Sequence, residues 1–263
     1  MDSWSTPVNV SDYTIASAPQ IVAAPNNTLT AIWARYTGPT QVIQTSTSDD
    51  AGATWSDAVN VSGGTLSAYS PQIVAAPNNT LTAIWQARVG AKFVIQTRTS
   101  NDAGANWSAV VDLSDGTQSA SQPQIVAAPN NTLTAIWYWS NGTKDVIQTR
   151  TSNDAGANWS AVVDLSDGTQ SATTPQIVAA PNNTLTAIWR RSNGTKNVIQ
   201  TSTSNDAGAN WSVAVDLSEG SQSATTPQIV AAPNNTLTAI WARSNVIQSS
   251  SHAASSGSGS SSG

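Results

Sequence analysis

The string Pro-Gln-Ile-Val-Ala-Ala-Pro-Asn-Asn-Thr-Leu-Thr-Ala-Ile-Trp occupies residues 19–33 and returns unchanged four more times. Successive copies are 52 residues apart, and they begin at Pro19, Pro71, Pro123, Pro175 and Pro227. A fixed period of about this size is typical of solenoids, propellers and other repeat arrays. The unit contains short runs of β-favouring residues broken by turn residues, which indicates strands rather than helices.

Each unit predicts four strands that follow one another as a meander. In the second unit they cover residues 72–75, 80–85, 94–100 and 107 to about 113. The Asn pair between the first two strands tolerates the left-handed backbone of a tight hairpin. Four strands per repeat are typical of a propeller blade.

The two ends of the chain predict how the ring closes. The last unit lacks a fourth strand, whereas residues 4–11 resemble an isolated one, because Trp4–Val10 matches Trp55–Val61. Pairing them would remove two open sheet edges. We therefore expect an all-β, five-bladed propeller of four-stranded antiparallel blades over residues 1–250, closed by the N-terminal strand and monomeric. Residues 251–263 are predicted to be a Ser/Gly-rich tail or linker.

Composition excludes several classes of partner and chemistry. The net charge of −5 argues against nucleic acid, which needs clustered Lys and Arg. No apolar run reaches the roughly 20 residues of a membrane span, so no membrane is predicted. Residues 1–5 lack the features of a signal peptide, and the compartment stays unassigned. The chain has no Cys and one His, His252 in the tail, which excludes thiol, zinc and Ser-His-Asp chemistry.

The hairpin between the third and fourth strands carries a second motif. It reads Ser-Asp-Asp-Ala-Gly-Ala-Thr-Trp at residues 48–55, and Ser-Asn-Asp-Ala-Gly-Ala-Asn-Trp at residues 100–107, 152–159 and 204–211. The motif resembles the Asp-box, or BNR repeat, of sialidase-like propellers, with Asn for Thr in three copies. The resemblance covers nearly all of the chain outside the tail.

We interpret the Asp-box residues as structural. The Asp carboxylate can accept several backbone N–H bonds, the Gly supplies an unusual backbone conformation and the Trp covers the turn. One Asp per hairpin falls short of a calcium cage of six to eight oxygens, so neither metal nor cofactor is predicted. The structural set is Asp50, Gly52, Trp55, Asp102, Gly104, Trp107, Asp154, Gly156, Trp159, Asp206, Gly208 and Trp211.

The resemblance to sialidases raises the question of catalysis. It implies an Arg triad, a Tyr–Glu nucleophile pair and an Asp acid. The chain has a single Glu, Glu219, in a turn, and its first strands carry no charge in any blade. The repeated Asp residues offer no pair of unequal carboxylates for a general glycosidase. We therefore predict no catalytic residue and no enzymatic activity.

The units differ from one another in two sets of loops that share one side of the disc, here called the loop face. These loops connect the second strand to the third and each blade to the next. Aromatic and Arg side chains there are typical anchors of a binding surface, although exposed loops also vary freely. The repeated Trp that ends each second strand packs between blades or floors a sugar pocket. The candidate ligand-binding residues are Trp33, Trp85, Trp137, Trp189, Trp241, Arg35, Arg88, Tyr138, Trp139 and Arg190.

The sequence thus favours a non-catalytic binding or scaffold module that contacts carbohydrate or protein through the loop face. The near-identity of the blades indicates recent amplification or deliberate construction. The alternative is a multivalent glycan-binding lectin with sites between blades on the loop face. A symmetric design without a ligand and a degenerate sialidase fragment are further alternatives.

Overall fold

The computed structural model describes residues 4–12 and 15–253, in which all regular elements are β-strands. Blade 1 contains β1 (Ala16–Ala23), β2 (Leu29–Tyr36), β3 (Gln41–Ser48) and β4 (Val59–Asn60). Blade 2 contains β5 (Ala68–Ala75), β6 (Leu81–Val89), β7 (Lys92–Ser100) and β8 (Val111–Asp112). Blade 3 contains β9 (Ala120–Ala127), β10 (Leu133–Ser140), β11 (Asp145–Ser152) and β12 (Val163–Asp164). Blade 4 contains β13 (Ala172–Ala179), β14 (Leu185–Ser192), β15 (Asn197–Ser204) and β16 (Val215–Asp216), and blade 5 contains β17 (Ala224–Ala231), β18 (Leu237–Arg243) and β19 (Val246–His252).

Each blade is an antiparallel meander whose strands pair in chain order, which confirms the predicted all-β, five-bladed architecture. No helix among the described residues is long and apolar enough to cross a membrane. The last strand runs to His252, past the boundary predicted at residue 250. The rest of the predicted tail, from residue 254, and residues 1–3 lie outside the described part of the chain.

The fourth strand of a blade is much shorter than predicted because serine hydroxyls replace ladder bonds on both sides of it. In blade 2 only Val111–Asp112 pairs with β7. On one side the Ile95 N–H donates to Ser114 Oγ at 2.9 Å, and on the other the Thr99 N–H donates to Ser108 Oγ at 3.0 Å. The backbone N–H groups of the third strand therefore have hydrogen-bond partners although the fourth strand is short.

The Asn-Asn turns connect neighbouring blades. The second Asn of each turn has a left-handed backbone, with φ of 67° at Asn79 and at Asn131. Its side chain also reaches the preceding blade, since the Asn78 N–H donates to Asn131 Oδ1 at 2.9 Å. The same bond joins Asn26 to Asn79, Asn130 to Asn183 and Asn182 to Asn235.

The hydrophobic core lies between blades rather than within them. Ile136 and Ile147 of blade 3 pack against Ala187 and Trp189 of blade 4, and all four are 0% exposed. Equivalent residues form the three other junctions, from blade 1 to 2, 2 to 3 and 4 to 5. At each of these junctions one blade contributes an isoleucine face and the next blade contributes a tryptophan face.

The predicted ring closure is absent from the described residues. Trp4–Asn9 form no strand, Trp4 is fully exposed, and blade 5 has three strands. Ile240 and Ile247 of blade 5 are 43% and 70% exposed, whereas the same positions in blade 4 are fully buried. In the other blades the Asp-box hairpin holds the fourth strand against the third. In blade 5 these strands are the two chain ends, so pairing them costs the entropy of closing the whole chain.

The Asp-box hairpins are held by a dense set of hydrogen bonds. Asp102 Oδ1 accepts from the Asn106 N–H at 2.9 Å and the Ser100 hydroxyl at 2.8 Å, while its Oδ2 accepts from Asn106 Nδ2 at 2.7 Å. The Trp107 Nε1–H donates to the Gly104 carbonyl at 3.1 Å. These bonds, chiefly those from Asn106, lower the pKa of Asp102 to about 2.

The Asp-box glycines also make room for the preceding blade. Gly104 has a φ of +88°, which L side chains rarely adopt. In blade 3, a Cβ added at Gly156 would lie 2.6 Å from Thr99 Cγ2 of blade 2. The hairpin therefore contributes to blade packing as well as to its own turn.

A pair of matched substitutions tests the open junction. We expect Ile188→Ala to lower the free energy of unfolding by about 2–4 kcal/mol, because it leaves a cavity at a fully buried site. Ile240→Ala, at the same position of the repeat in blade 5, should cost well under half as much. Urea unfolding followed by Trp fluorescence measures both. Equal losses would show that blade 5 is covered in solution.

The Asp-boxes predict a specific acid sensitivity. Hydrogen bonds lower the pKa of Asp50, Asp102, Asp154 and Asp206 from 3.8 to about 2. Because the folded pKa is the lower one, the stabilisation is complete above about pH 5 and is lost as the pH falls towards 2. We therefore expect the melting temperature to fall between pH 5 and pH 2. The double variant Asp102→Asn, Asp154→Asn should show a smaller fall over the same range.

Asp49→Asn is the matched control for that experiment, since the other three hairpins already have Asn at this position. Its melting temperature should follow the wild-type pH course. If the melting temperature of the double variant falls as much as that of the wild type between pH 5 and pH 2, the Asp-box carboxylates are not the source of the acid sensitivity.

Candidate functional site

Ion pairs organise the loop face. Arg191 Nη2 lies 2.7 Å from Asp167 Oδ2, and Arg243 Nη2 lies 3.2 Å from Glu219 Oε2. Arg35 pairs with Asp12 in the same way. Each pair joins the end of a second strand to the loop that leads into the same blade. Glu219, the single Glu of the chain, therefore holds a loop in place.

The predicted loop-face residues do not converge on one site. Arg88 Nε donates to the Gly90 carbonyl at 3.2 Å, and Arg190 Nη2 donates to Thr173 Oγ1 at 2.7 Å. Tyr138 and Trp139 pack against two different junctions, those of blades 3–4 and 2–3. Each of these four side chains makes the described contacts within its own blade or at a blade junction.

The tryptophans that end the second strands are core residues. Trp85, Trp137 and Trp189 are 0% exposed, and Trp33 and Trp241 are 4% exposed. The Trp85 Nε1–H donates to Gln96 Oε1 at 3.2 Å, so its polar group is also occupied. The neighbouring blade covers Trp85, Trp137, Trp189 and Trp241, so a sugar ring cannot reach them and they do not floor pockets between blades. Trp33 has no such neighbour and lines a cavity at the open end of blade 1.

A cavity of about 300 Å³ lies at the centre of the disc, where the first strands of blades 2–5 meet. We call it the channel site. Its lining contains no ionisable side chain and consists of Ser70, Gln72, Gln122, Pro123, Gln124, Thr174, Pro175, Gln176, Thr226, Pro227 and Gln228.

A β-bulge shapes the wall of the channel site. The register of β9 shifts between its pairs with Tyr138 and Ile136, and Gln122 at the bulge has a φ of +53°. Ser70, Thr174 and Thr226 occupy the same position with φ between 50° and 53°. The bulge is bonded across blades, since the Thr174 N–H donates to Gln122 Oε1 at 3.2 Å. The channel wall is therefore bonded between blades 3 and 4.

Four glutamines of the repeat string give the channel site its chemistry. Gln72, Gln124, Gln176 and Gln228 line the cavity, and their amides have no hydrogen-bond partner within the described part of the protein. Each carboxamide offers two N–H donors and one carbonyl acceptor. The site thus presents a ring of free neutral donors and acceptors.

Sequence reasoning missed this site, although a signal for it existed. The two residues before the Pro-Gln of each copy vary between a constant Ala and the constant string, as Ser17-Ala18, Tyr69-Ser70, Ser121-Gln122, Thr173-Thr174 and Thr225-Thr226. This variable pair marks the bulge. The first strands carry no charge, but neutral amides are themselves binding groups.

One carboxyl group of the loop face differs from the others. Burial raises the pKa of Asp145, at the start of β11, while Ser171 and Arg190 oppose the shift. The pKa of Asp167 is lowered by its bonds to Arg191 and Thr169, against the effect of burial. Among residues 4–12 and 15–253, no group of three or more His, Cys, Asp or Glu side chains is placed to hold a metal ion.

Comparison with solved structures finds the same type of fold in several proteins at low sequence identity. A protein of unknown function from Dyadobacter fermentans matches with a TM-score of 0.67 at 13% identity, covering 89% of this chain and 77% of that one. The α-L-arabinofuranosidase of Fusarium graminearum matches with 0.60 at 18% identity, covering 89% and 76%. The intramolecular trans-sialidase of Ruminococcus gnavus matches with 0.61 at 13% identity, covering 86% and 77%. No curated protein matches at a significant level.

These matches correct one prediction from the sequence. The inference that the chain is not an enzyme is wrong, because the same fold carries an arabinofuranosidase and a trans-sialidase. It depended on the lack of the sialidase residues and of a pair of unequal carboxylates. At these identities the likeness shows the fold alone.

The family follows from the sequence itself. Residues 42–252, most of the chain, match the family described as BNR repeat-like domain. The recurring Asp-box and the blade-by-blade architecture agree with that match. The chain belongs to the BNR repeat-like domain family.

Proposed function

We propose that the chain is a binding propeller that recognises an uncharged glycan at the channel site. The observation that carries this proposal is the ring of free carboxamides on Gln72, Gln124, Gln176 and Gln228. Sugar hydroxyls both donate and accept hydrogen bonds, and a carboxamide complements them in both directions. A volume of about 300 Å³ is at the lower end of the range for small-ligand sites, which suits one sugar ring or two.

The electrostatics of the site select against charged ligands. No Lys, Arg, Asp or Glu lines the cavity. Arg190 and Arg191, on the second strand of blade 4, have partners of their own: Arg190 donates to Thr173 and Arg191 pairs with Asp167. A carboxylate in the cavity would lose its hydration without gaining a cation. Neutral pentose or hexose units are therefore the expected ligands, rather than sialosides.

The rigidity of the wall supports the same function. Pro123, Pro175 and Pro227 are buried at the channel, and each fixes the backbone beside a lining Gln. Bonds between blades, such as Thr174 to Gln122, hold the walls in register. Preorganised polar groups bind weakly hydrophobic ligands such as sugars at lower entropic cost.

A glycan array followed by calorimetry tests the channel site. We expect binding to neutral glycans, and Gln124→Ala with Gln176→Ala should weaken it about a hundredfold, since each lost hydrogen-bond set is worth roughly tenfold. Gln222→Ala is the matched control, because Gln222 lies in an exposed loop on the loop face. Its affinity should equal that of the wild type. Binding lost in the control but kept in the double variant would move the site to the loops.

Cleavage of a glycosidic bond is a second candidate function, favoured by Asp145. A raised pKa favours the role of general acid, and burial raises the pKa of this carboxyl. We expect any release of nitrophenol from neutral aryl glycosides to disappear in Asp145→Asn. Asp115→Asn is the control, since Asp115 is an exposed loop carboxylate bonded to Thr117. Turnover unaffected by Asp145→Asn would remove Asp145 from catalysis.

A further inference from the structure

The four blade junctions within the chain define a repeated interface with two different sides. The isoleucine face of a blade carries one residue from its second strand and one from its third, such as Ile188 and Ile199. The tryptophan face of the next blade carries a first-strand Ile, an Ala and the second-strand Trp, such as Ile229, Ala239 and Trp241. Every isoleucine at these four junctions is fully buried on the first side. The two faces are therefore complementary in shape and polarity.

One copy of each face is left uncovered at the ends of the arc. The isoleucine face of blade 5 exposes Val230, Ile240 and Ile247 by 63%, 43% and 70%. The tryptophan face of blade 1 exposes Ile21 by 62%, beside a cavity of about 640 Å³ that Val8, Val10 and Trp33 also line. Within the described residues, no strand of blade 5 makes an extensive contact with blade 1.

Hydrogen-bonding groups at the two ends are complementary as well. The Asn-turn bonds run from the N–H of one blade to the Asn Oδ1 of the next, and the series stops at Asn182 and Asn235. If the series continued, the next donor would be the Asn234 N–H on blade 5. The Asn Oδ1 that the series leaves without a donor is that of Asn27 on blade 1. The sheet edge of β19 likewise lacks a fourth strand, whereas residues 4–11 have the sequence of one.

We propose that a second copy of this chain occupies the open junction, with its blade 1 docked on the isoleucine face of blade 5. Residues 4–11 of the incoming copy then add the fourth strand to β19. Three features of blade 5 fit the same partner: an apolar face, an N–H donor and a sheet edge. Blade 1 and the segment before it carry the counterpart of each: the tryptophan face, an Asn acceptor and the sequence of a fourth strand. At the four other junctions the equivalent groups of the chain already form these contacts.

The proposal replaces the monomer expected from a closed ring. Apolar faces and open sheet edges of this kind are rarely left uncovered in monomeric proteins. The contact joins unlike surfaces, so it is heterologous, and repeated addition gives a ring or an open chain of copies. The assembly is therefore expected to grow with concentration.

Light scattering after size exclusion tests the association with the full-length chain. We expect the wild type to exceed its monomer mass of 27.1 kDa as the concentration rises. Ile247→Asp should remain monomeric, because it places a charge on the isoleucine face. Val162→Asp, at an exposed site on blade 3, is the control and should assemble like the wild type. A wild type that is monomeric at all concentrations, or an Ile247→Asp variant that assembles, would overturn the proposal.

Mixing two blocked variants tests the head-to-tail geometry. Ile247→Asp and Ile21→Asp are each expected to be monomeric alone, and their equimolar mixture should give a dimer through the one intact pair of faces. If Ile21→Asp alone still dimerises, like faces associate and the geometry is wrong. Val230→Asp replaces Ile247→Asp if circular dichroism shows that the latter has lost its β-sheet signal.

Discussion

The packing of an isoleucine pair beneath the tryptophan of the next blade is the interaction on which the structure depends. Fully burying such side chains contributes roughly 1.5–3 kcal/mol each. The contact occurs at four junctions, and most of the largest fully buried side chains belong to it. A blade by itself is a thin sheet with two apolar faces, so stability comes from stacking.

The same dependence explains where the polar groups lie. With the sheet faces at the four junctions occupied by neighbours, the larger polar and charged side chains are mostly at the rim, the hairpins and the channel, while small Thr and Ser side chains are buried within the strands. The Asp-boxes fill the hairpins with bonds that fix the turn, and the ion pairs of Arg191 and Arg243 fix loops. Gln72, Gln124, Gln176 and Gln228 at the channel have side-chain amides without a protein partner within the described residues.

Much of the fold could be predicted from periodicity and turn chemistry. The spacing of the repeat string fixes the number of blades, and Asn79 marks a left-handed turn because few other residues adopt that backbone. The bulge at Gln122 could not be predicted, since it depends on how a first strand meets the channel. The failed closure has a similar cause. Trp4 has the sequence of a fourth strand, but pattern matching ignores the cost of bringing two chain ends together.

The candidate site was predicted less well because residue type was taken as a guide to exposure. The sequence predicts Trp137 near a ligand, because a flat aromatic ring can stack on a sugar. The same ring also packs well at an apolar junction, and in the structure Trp137 is buried there. Gln124 belongs to the constant string, so variation between the blades does not mark it. In a symmetric protein the constant positions that meet at the axis form a site together.

Interchangeable junctions have a consequence for how such a chain changes in length. When one 52-residue unit is gained or lost, the new junction again consists of an isoleucine face and a tryptophan face. These faces are the same as those at the existing junctions. No new contact surface has to arise, and the bonds between Asn turns continue across the new boundary. Copy number is therefore a nearly neutral variable for folding, while the size of the axial opening changes with every unit gained or lost.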